Sequence, residues 1–215
     1  MTLQELTQLA SLGEGANLEF KRKVPKPARI AKEIIAFANT SGGRLLLGVD
    51  DDGSIVGVRD VEEEEYALRN ALEGYSEPVV SFTVERVPIA HRRDVIVVSV
   101  PESREKPHFL TSPDNGARTA YLRANDKSVE ASREALRLMS TSEEVDTATF
   151  EFGEKELMLM RYLDDYGKIT VKQFARIANI SRRKASSTLV SLARANILRL
   201  HVDAQHDYFM LAYEL

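Results

Sequence analysis

The chain has 215 residues, 43% hydrophobic and 29% charged, with a net charge of −4 and no cysteine. That length suits one large domain or two small ones, and the composition is that of a soluble globular protein. Disulfides and thiolate metal sites are excluded, the four histidines are scattered without ligand spacing, and no apolar run reaches membrane-spanning length. The charge is unevenly spread: residues 151–215 carry 10 Lys+Arg against 8 Asp+Glu, which leaves 19 against 25 for residues 1–150. The C-terminal part is therefore the better candidate for touching phosphate.

The opening "MTLQELTQLASLGE" reads as an amphipathic helix with neither a basic region nor a signal-peptide core, so a cytoplasmic location is expected. "NLEFKRKV" alternates like a half-buried strand. "PARIAKEIIAFANT" places Ile30, Ile34, Ile35, Phe37 and Ala38 on one helical face, and Asn39–Gly43 close that helix. "RLLLGVD" and "SIVGV", joined by "DDG", predict a hairpin. "VEEEEYALRNALEG" is a second helix whose acids sit in the first turn, where the helix dipole favours them. Strands over "VVSFTVERVPI", "DVIVVSV" and "TAYLRAN" follow, then a helix through "SVEASREALRLM". Hairpins outnumber helical crossovers, which points to an α+β fold with a mixed, largely antiparallel sheet and packed helices.

The stretch "STSEEVDTATFEFGE", rich in Ser, Thr and acids, reads as a linker over 140–153. It divides a first domain, 1–139, from a second, 154–215. The second runs helix ("EKELMLMRYLDDYG"), short strand and helix ("ITVKQFARIANI"), helix ("SRRKASSTLVSLARANI"), then two strands around "AQH". That is the winged helix-turn-helix order. Its third helix opens with Ser181 as N-cap, then Arg182, Arg183 and Lys184, followed by Ser186, Ser187 and Thr188. Cations and hydroxyls there suit phosphate and base-edge contacts in a major groove. Cations at a helix N-terminus oppose the macrodipole, so helix stability alone does not account for them. Winged helices also mediate protein contacts, and a solvated helix start remains the plainer alternative.

In the first domain, Glu19 and Lys21 fall on one side of their strand and Leu18 and Phe20 on the other. A carboxylate beside a lysine suits a nuclease, where the acid binds a divalent cation and the lysine steadies the scissile phosphate. Mg²⁺ or Mn²⁺ would be served by Glu14, Glu19 and Asp50 if the fold gathers them. Glu–Lys pairs two apart on strands are also common decoration, and "DDDG" is equally a hairpin turn. Arg123, on "YLRAN", is placed either to reach a phosphate or to pair with Asp50. No G-x-x-x-x-G-K-[ST] pattern precedes a helix, and "TSGG" enters a strand, so ATP hydrolysis is not expected.

"LEFKRKV", "EIIAFANTSGGRLLLGVDDDGSIVGV", "KPHFL" and "AYLRANDKSVEAS" follow one another in the chain. Together they closely resemble the Schlafen AlbA-2 domain family over roughly residues 12–135. The resemblance implies an AlbA-2-type fold and DNA binding, and the winged helix behind it implies a transcriptional regulator. Some eukaryotic Schlafen relatives are RNA endonucleases that cleave tRNA and rRNA through three metal-binding carboxylates. By that resemblance Glu14 and Glu19 match the first two acids, Asp50 is the natural third, and RNA becomes a possible partner. Those nucleases carry two copies of the core and a positive clamp. This chain has one copy and an acidic first domain, so a homodimer is expected to rebuild the two-lobed shape. The regulator reading requires no cofactor.

Overall fold

The computed structural model describes residues 1–112, 115–140 and 153–212, and their contacts divide the chain into two units after Glu130. The first unit contains α1 (Leu3–Ser11), β1 (Leu18–Lys21), α2 (Pro27–Asn39), β2 (Gly43–Leu47), α3 (Val61–Tyr75) and β3 (Ser76–Glu77). It continues with β4 (Thr83–Ala90), β5 (Arg93–Val100), β6 (Phe109–Thr111), β7 (Arg118–Thr119), β8 (Tyr121–Ala124) and β9 (Lys127–Glu130).

Its main sheet has the order β1-β2-β5-β4. Only β1 and β2 run parallel; β2–β5 and β5–β4 are antiparallel. The alternation along these strands builds two cores on opposite faces. Leu45, Leu47, Ile96, Val98 and Val100 pack with Ile30, Ile34 and Phe37 of α2 and Leu68 and Leu72 of α3. Leu18, Phe20, Leu46, Val95 and Val97 pack with Leu6 and Ala10 of α1. Glu19 and Lys21 therefore leave β1 on the α2 side, while Leu18 and Phe20, which alternate with them, leave on the α1 side.

Helix α1 is held by a reciprocal box in which Thr2 Oγ1 accepts from Glu5 N–H and Glu5 accepts from Thr2 N–H. Helix α2 is buried almost all round, with Ile30, Ala31, Ile34, Ile35, Ala36, Phe37 and Ala38 shielded from water. Its end is turned by Gly42 at φ +72°, where a Cβ would sit 2.6 Å from the Val100 carbonyl oxygen. Asn39, buried at that end, donates to the His108 and Tyr121 carbonyls and accepts from His108 N–H, tying α2 to β6 and β8.

Two local expectations differ. Residues 54–58 do not form the second arm of a hairpin. Apart from a single bridge, Val49 to Ile55, β2 spends its hydrogen-bonding edges on β1 and β5. The helix expected through "SVEASREALRLM" begins only at Arg133. Lys127–Glu130 is a strand paired to β8 through a turn with Asn125 at φ 55°, and Ser132 caps the shorter helix by accepting from Ala135 N–H.

The second unit holds α4 (Arg133–Met139), α5 (Glu154–Tyr166), α6 (Val171–Ile177), α7 (Arg182–Arg194), β10 (Leu198–His201) and β11 (Tyr208–Leu211). The contacts thus divide the chain after Glu130, whereas the sequence alone placed the end of the first domain at 139. Helix α4 packs on α7, where Ser186 Oγ donates to Glu134 and Arg194 donates to the Arg137 carbonyl at 2.7 Å. Most of the expected linker, residues 141–152, lies outside the described residues. Gly167 ends α5 in the left-handed region, as the sequence indicates. Leu159, Leu163, Phe174, Ala185, Leu189, Leu192 and Phe209 form this unit's core, and β10 and β11 make an antiparallel ribbon. No helix among the described residues is long and apolar enough to cross a membrane.

Candidate functional site

Glu19 and Lys21 meet a cluster that reaches beyond β1. Lys21 Nζ donates to Glu19 Oε1 and, at 2.7 Å, to the Phe20 carbonyl; it also lies 3.8 Å from Glu14 Oε1. Glu14 accepts from Phe20 N–H at 2.8 Å, which folds the segment before β1 back along the strand. Arg123 comes in from β8 with its side chain wholly buried. Its Nη2 stands 3.0 Å from Glu19 Oε2 and donates to the Gly15 carbonyl at 2.7 Å. Its Nη1 donates to Glu33 Oε2 at 3.0 Å, and its guanidinium lies 4.8 Å from the Phe37 ring centre. Glu33 and Phe37 are one helical turn apart on α2, which lets one guanidinium meet both. Ser128 Oγ completes the network by donating to Glu33.

Three carboxylates thus surround two cations in a largely dry site. Burial lifts the Glu19 carboxyl above its ordinary value. Lys21, by hydrogen bond and charge, pulls the other way, the Glu33 charge adds to the rise, and Arg123 opposes it. Glu19 Oε2 faces Arg123 as an ion pair without hydrogen-bond alignment, which leaves that oxygen and Arg123 Nε without hydrogen-bond partners.

Sequence reasoning brought Glu14, Glu19 and Lys21 together, and the structure does so too. It missed Glu33, although a glutamate standing among Ile30, Ile34, Ile35 and Phe37 in a helix buried all round was a usable signal. Both expectations for Arg123 are corrected. Its side chain is shut from solvent and engaged by Glu19, Glu33, Gly15 and Ser128, so it neither reaches a phosphate nor pairs with Asp50. Asp50 places its Oδ2 3.5 Å from Nη1 of Arg22; Arg22 is exposed and Asp50 half-buried. Its backbone shapes the "DDDG" turn through Asp50 N–H to the Ser54 carbonyl and Gly53 N–H to the Asp50 carbonyl.

Among the described residues no three histidines or carboxylates form a group able to hold a metal ion. Glu19 is taken up by Lys21 and Arg123, and Asp50 turns to Arg22. Glu14 accepts from Phe20 N–H, so each of the three expected ligands already has a partner within the chain.

The second candidate surface is the start of α7. Ser181 Oγ accepts from Lys184 N–H at 3.2 Å and caps the helix. Arg182, Arg183 and Lys184 are exposed, and none makes an ion pair among the described residues; Ser187 is half-buried. Ser186, read from sequence as a further polar contact, is committed to Glu134. On the ribbon, His201 stacks on Tyr208 at 5.3 Å, and Lys168 lies 5.0 Å from the Tyr208 ring centre.

The family described as Schlafen, AlbA_2 matches residues 14–132. Among solved structures, the chain is similar to the DIP2311 protein of Corynebacterium diphtheriae, with 19% identity and a TM-score of 0.42 over 63% of this chain and 26% of that one. It is also similar to the N-terminal domain of a protein named as ATP-dependent DNA helicase RecG-related, from Nitrosomonas europaea. There the identity is 23% and the TM-score 0.43, over 62% of this chain and 93% of that one.

Proposed function

Because the chain belongs to the Schlafen AlbA_2 family, a role connected with nucleic acid is its premise, and we propose that it is a DNA-binding transcriptional regulator. The observation that carries the proposal is the free cationic start of α7. Arg182, Arg183 and Lys184 follow a working Ser181 cap, point to solvent and have no acidic partner among the described residues. In this reading α5 to α7 with the β10–β11 ribbon act as a winged helix-turn-helix. The start of α7 enters the major groove, and Ser187 stands one turn further along the helix. A homodimer, the arrangement a two-fold operator asks of a single half-site reader, is part of the proposal, as is a cytoplasmic location. No cofactor is required.

The test is anisotropy of labelled duplex DNA titrated with wild type and with Arg182→Ala/Arg183→Ala at several salt concentrations. Losing two phosphate contacts should weaken binding and lower the slope of log affinity against log salt by roughly 2. Unchanged affinity and slope in the double variant would refute the assignment of α7. Light scattering of the free protein reads the dimer.

A metal-dependent endoribonuclease of the Schlafen type is the second reading, favoured by the convergence of Glu14 and Glu19 on Lys21. Cuts in labelled tRNA that need Mn²⁺ and vanish in Glu19→Ala would establish it over the regulator.

A further inference from the structure

Helix α1 covers only part of its face of the sheet. Leu6 and Ala10 lie over Phe20, Leu46 and Val97, but the helix ends at Ser11. Beyond it the same face continues without cover from the described residues of the first unit. Register places Arg44 of β2, Ser99 of β5 and Thr83 of β4 side by side across three strands, and their alternation puts them on the α1 side with Leu46, Val97 and Val87. A cleft of about 680 Å³ opens over them, walled by Leu9 from α1, by Leu12 just past its end and by Leu18 from β1. A second hollow of about 540 Å³ shares Leu9, Leu12 and Arg44 with the first, so the arginine stands where the two meet.

Two features of this cleft bear on what it could hold. Leu12 is 76% exposed at its edge, although it stands at the end of a helix with a well-buried apolar face. The Arg44 guanidinium is exposed and makes no hydrogen bond or ion pair among the described residues. The two glutamates that share the second hollow with it are already engaged, Glu85 by the Met1 ammonium and Glu5 by Thr2 N–H.

We propose that this cleft binds a small carboxylate carrying an aliphatic chain. The planar fork of Arg44 matches a carboxylate with two parallel hydrogen bonds, and the Ser99 and Thr83 hydroxyls flank it as further donors. Leu9, Leu12 and Leu18 supply the apolar wall for the chain. The volume falls in the range of small-molecule sites, which are mostly apolar with a few placed polar groups. The inference is independent of DNA binding.

Such a carboxylate comes either as a free acid or as the C-terminus of a peptide, and the test separates them. The full-length protein, with labelled leucine methyls, is titrated with octanoate, with octanol and with N-acetyl-leucine. Octanoate should give saturable shifts confined to Leu9, Leu12 and Leu18 among the leucines, with octanol weaker by about ten-fold or more. Arg44→Gln, a solvent-facing change whose fold is checked by circular dichroism, should bring octanoate down to the level of octanol. Octanoate binding the tighter of the two acids assigns the free acid, and N-acetyl-leucine binding tighter assigns a peptide terminus; either supports the site. No saturation by roughly millimolar concentrations of either acid, or equal binding by Arg44→Gln, overturns it.

Discussion

Arg123→Met removes a wholly buried guanidinium from between Glu19 and Glu33 and leaves a side chain of similar length and no charge. Breaking a buried ion pair from one side costs about 3–5 kcal/mol, because the remaining charge is left without compensation. The Gly15 carbonyl also loses its 2.7 Å donor, and an orphaned buried acceptor costs ~1–3 kcal/mol. Methionine recovers part of the contact with the Phe37 ring through its sulfur. The sum is roughly 3–7 kcal/mol. With a urea slope of about 2 kcal/mol/M, the unfolding midpoint of the first unit should fall by about 1.5–3.5 M. The chain has no tryptophan, so far-ultraviolet circular dichroism follows unfolding, and amide exchange separates the first unit from the second. Arg123→Met/Glu33→Leu should recover at least ~1 kcal/mol, since the second change removes one of the abandoned charges. A midpoint shift below about 0.5 M would mean that the guanidinium is not neutralising the two acids, and the account of this cluster would fail.

Glu19 gives a pH signature. Its folded pKa is raised above the ordinary 4.5, so the folded state holds its proton more tightly than the unfolded one. The stability this contributes is fully present below pH 4.5 and is lost as pH rises through the folded pKa. Across that window the denaturation midpoint of Glu19→Gln should rise more, or fall less, with pH than that of wild type, and parallel curves would refute the assignment. Gly42→Ala places a methyl 2.6 Å from the Val100 carbonyl oxygen and 2.8 Å from Glu102 N, at a φ of +72°. A thermal melt should report a loss of about 2–4 kcal/mol, whereas a loss below ~0.5 kcal/mol would show that the turn after α2 yields easily.

The elements that sequence made legible are those whose information is local. The apolar period of Ile30, Ile34 and Phe37 with glycines after Asn39 marks α2, Gly167 marks the end of α5, and the Ser181 cap marks α7. Alternation in "LEFK" placed Glu19 and Lys21 on one side of β1 without help from the rest of the chain. The features that escaped were decided by distant partners. Residues 54–58 are as strand-like as many strands, but β2 had already been claimed by β1 and β5. Arg123 looks like a surface cation until α2 supplies Glu33 and Phe37 from far up the chain, and nothing near position 123 announces that burial. Asp50 was assigned by its place in a motif, while the turn geometry of its own neighbours sends it to Arg22. The bonds of α4 to Ser186 and Arg194 were not visible locally, because those partners lie about fifty residues further on.

That last contact matters to anyone who would move these units between proteins. Ser186, Val190 and Arg194 recur every four residues and form one stripe along α7. The first and third bond to α4, and Val190 between them is only 1% exposed. The family match stops at 132, where α4 starts, so the seam for a graft lies just after Glu130. A fragment begun at Glu154, the apparent start of the second domain by sequence, would leave a bare valine and an unsheathed helix flank. One begun at Ala131 carries its own sleeve.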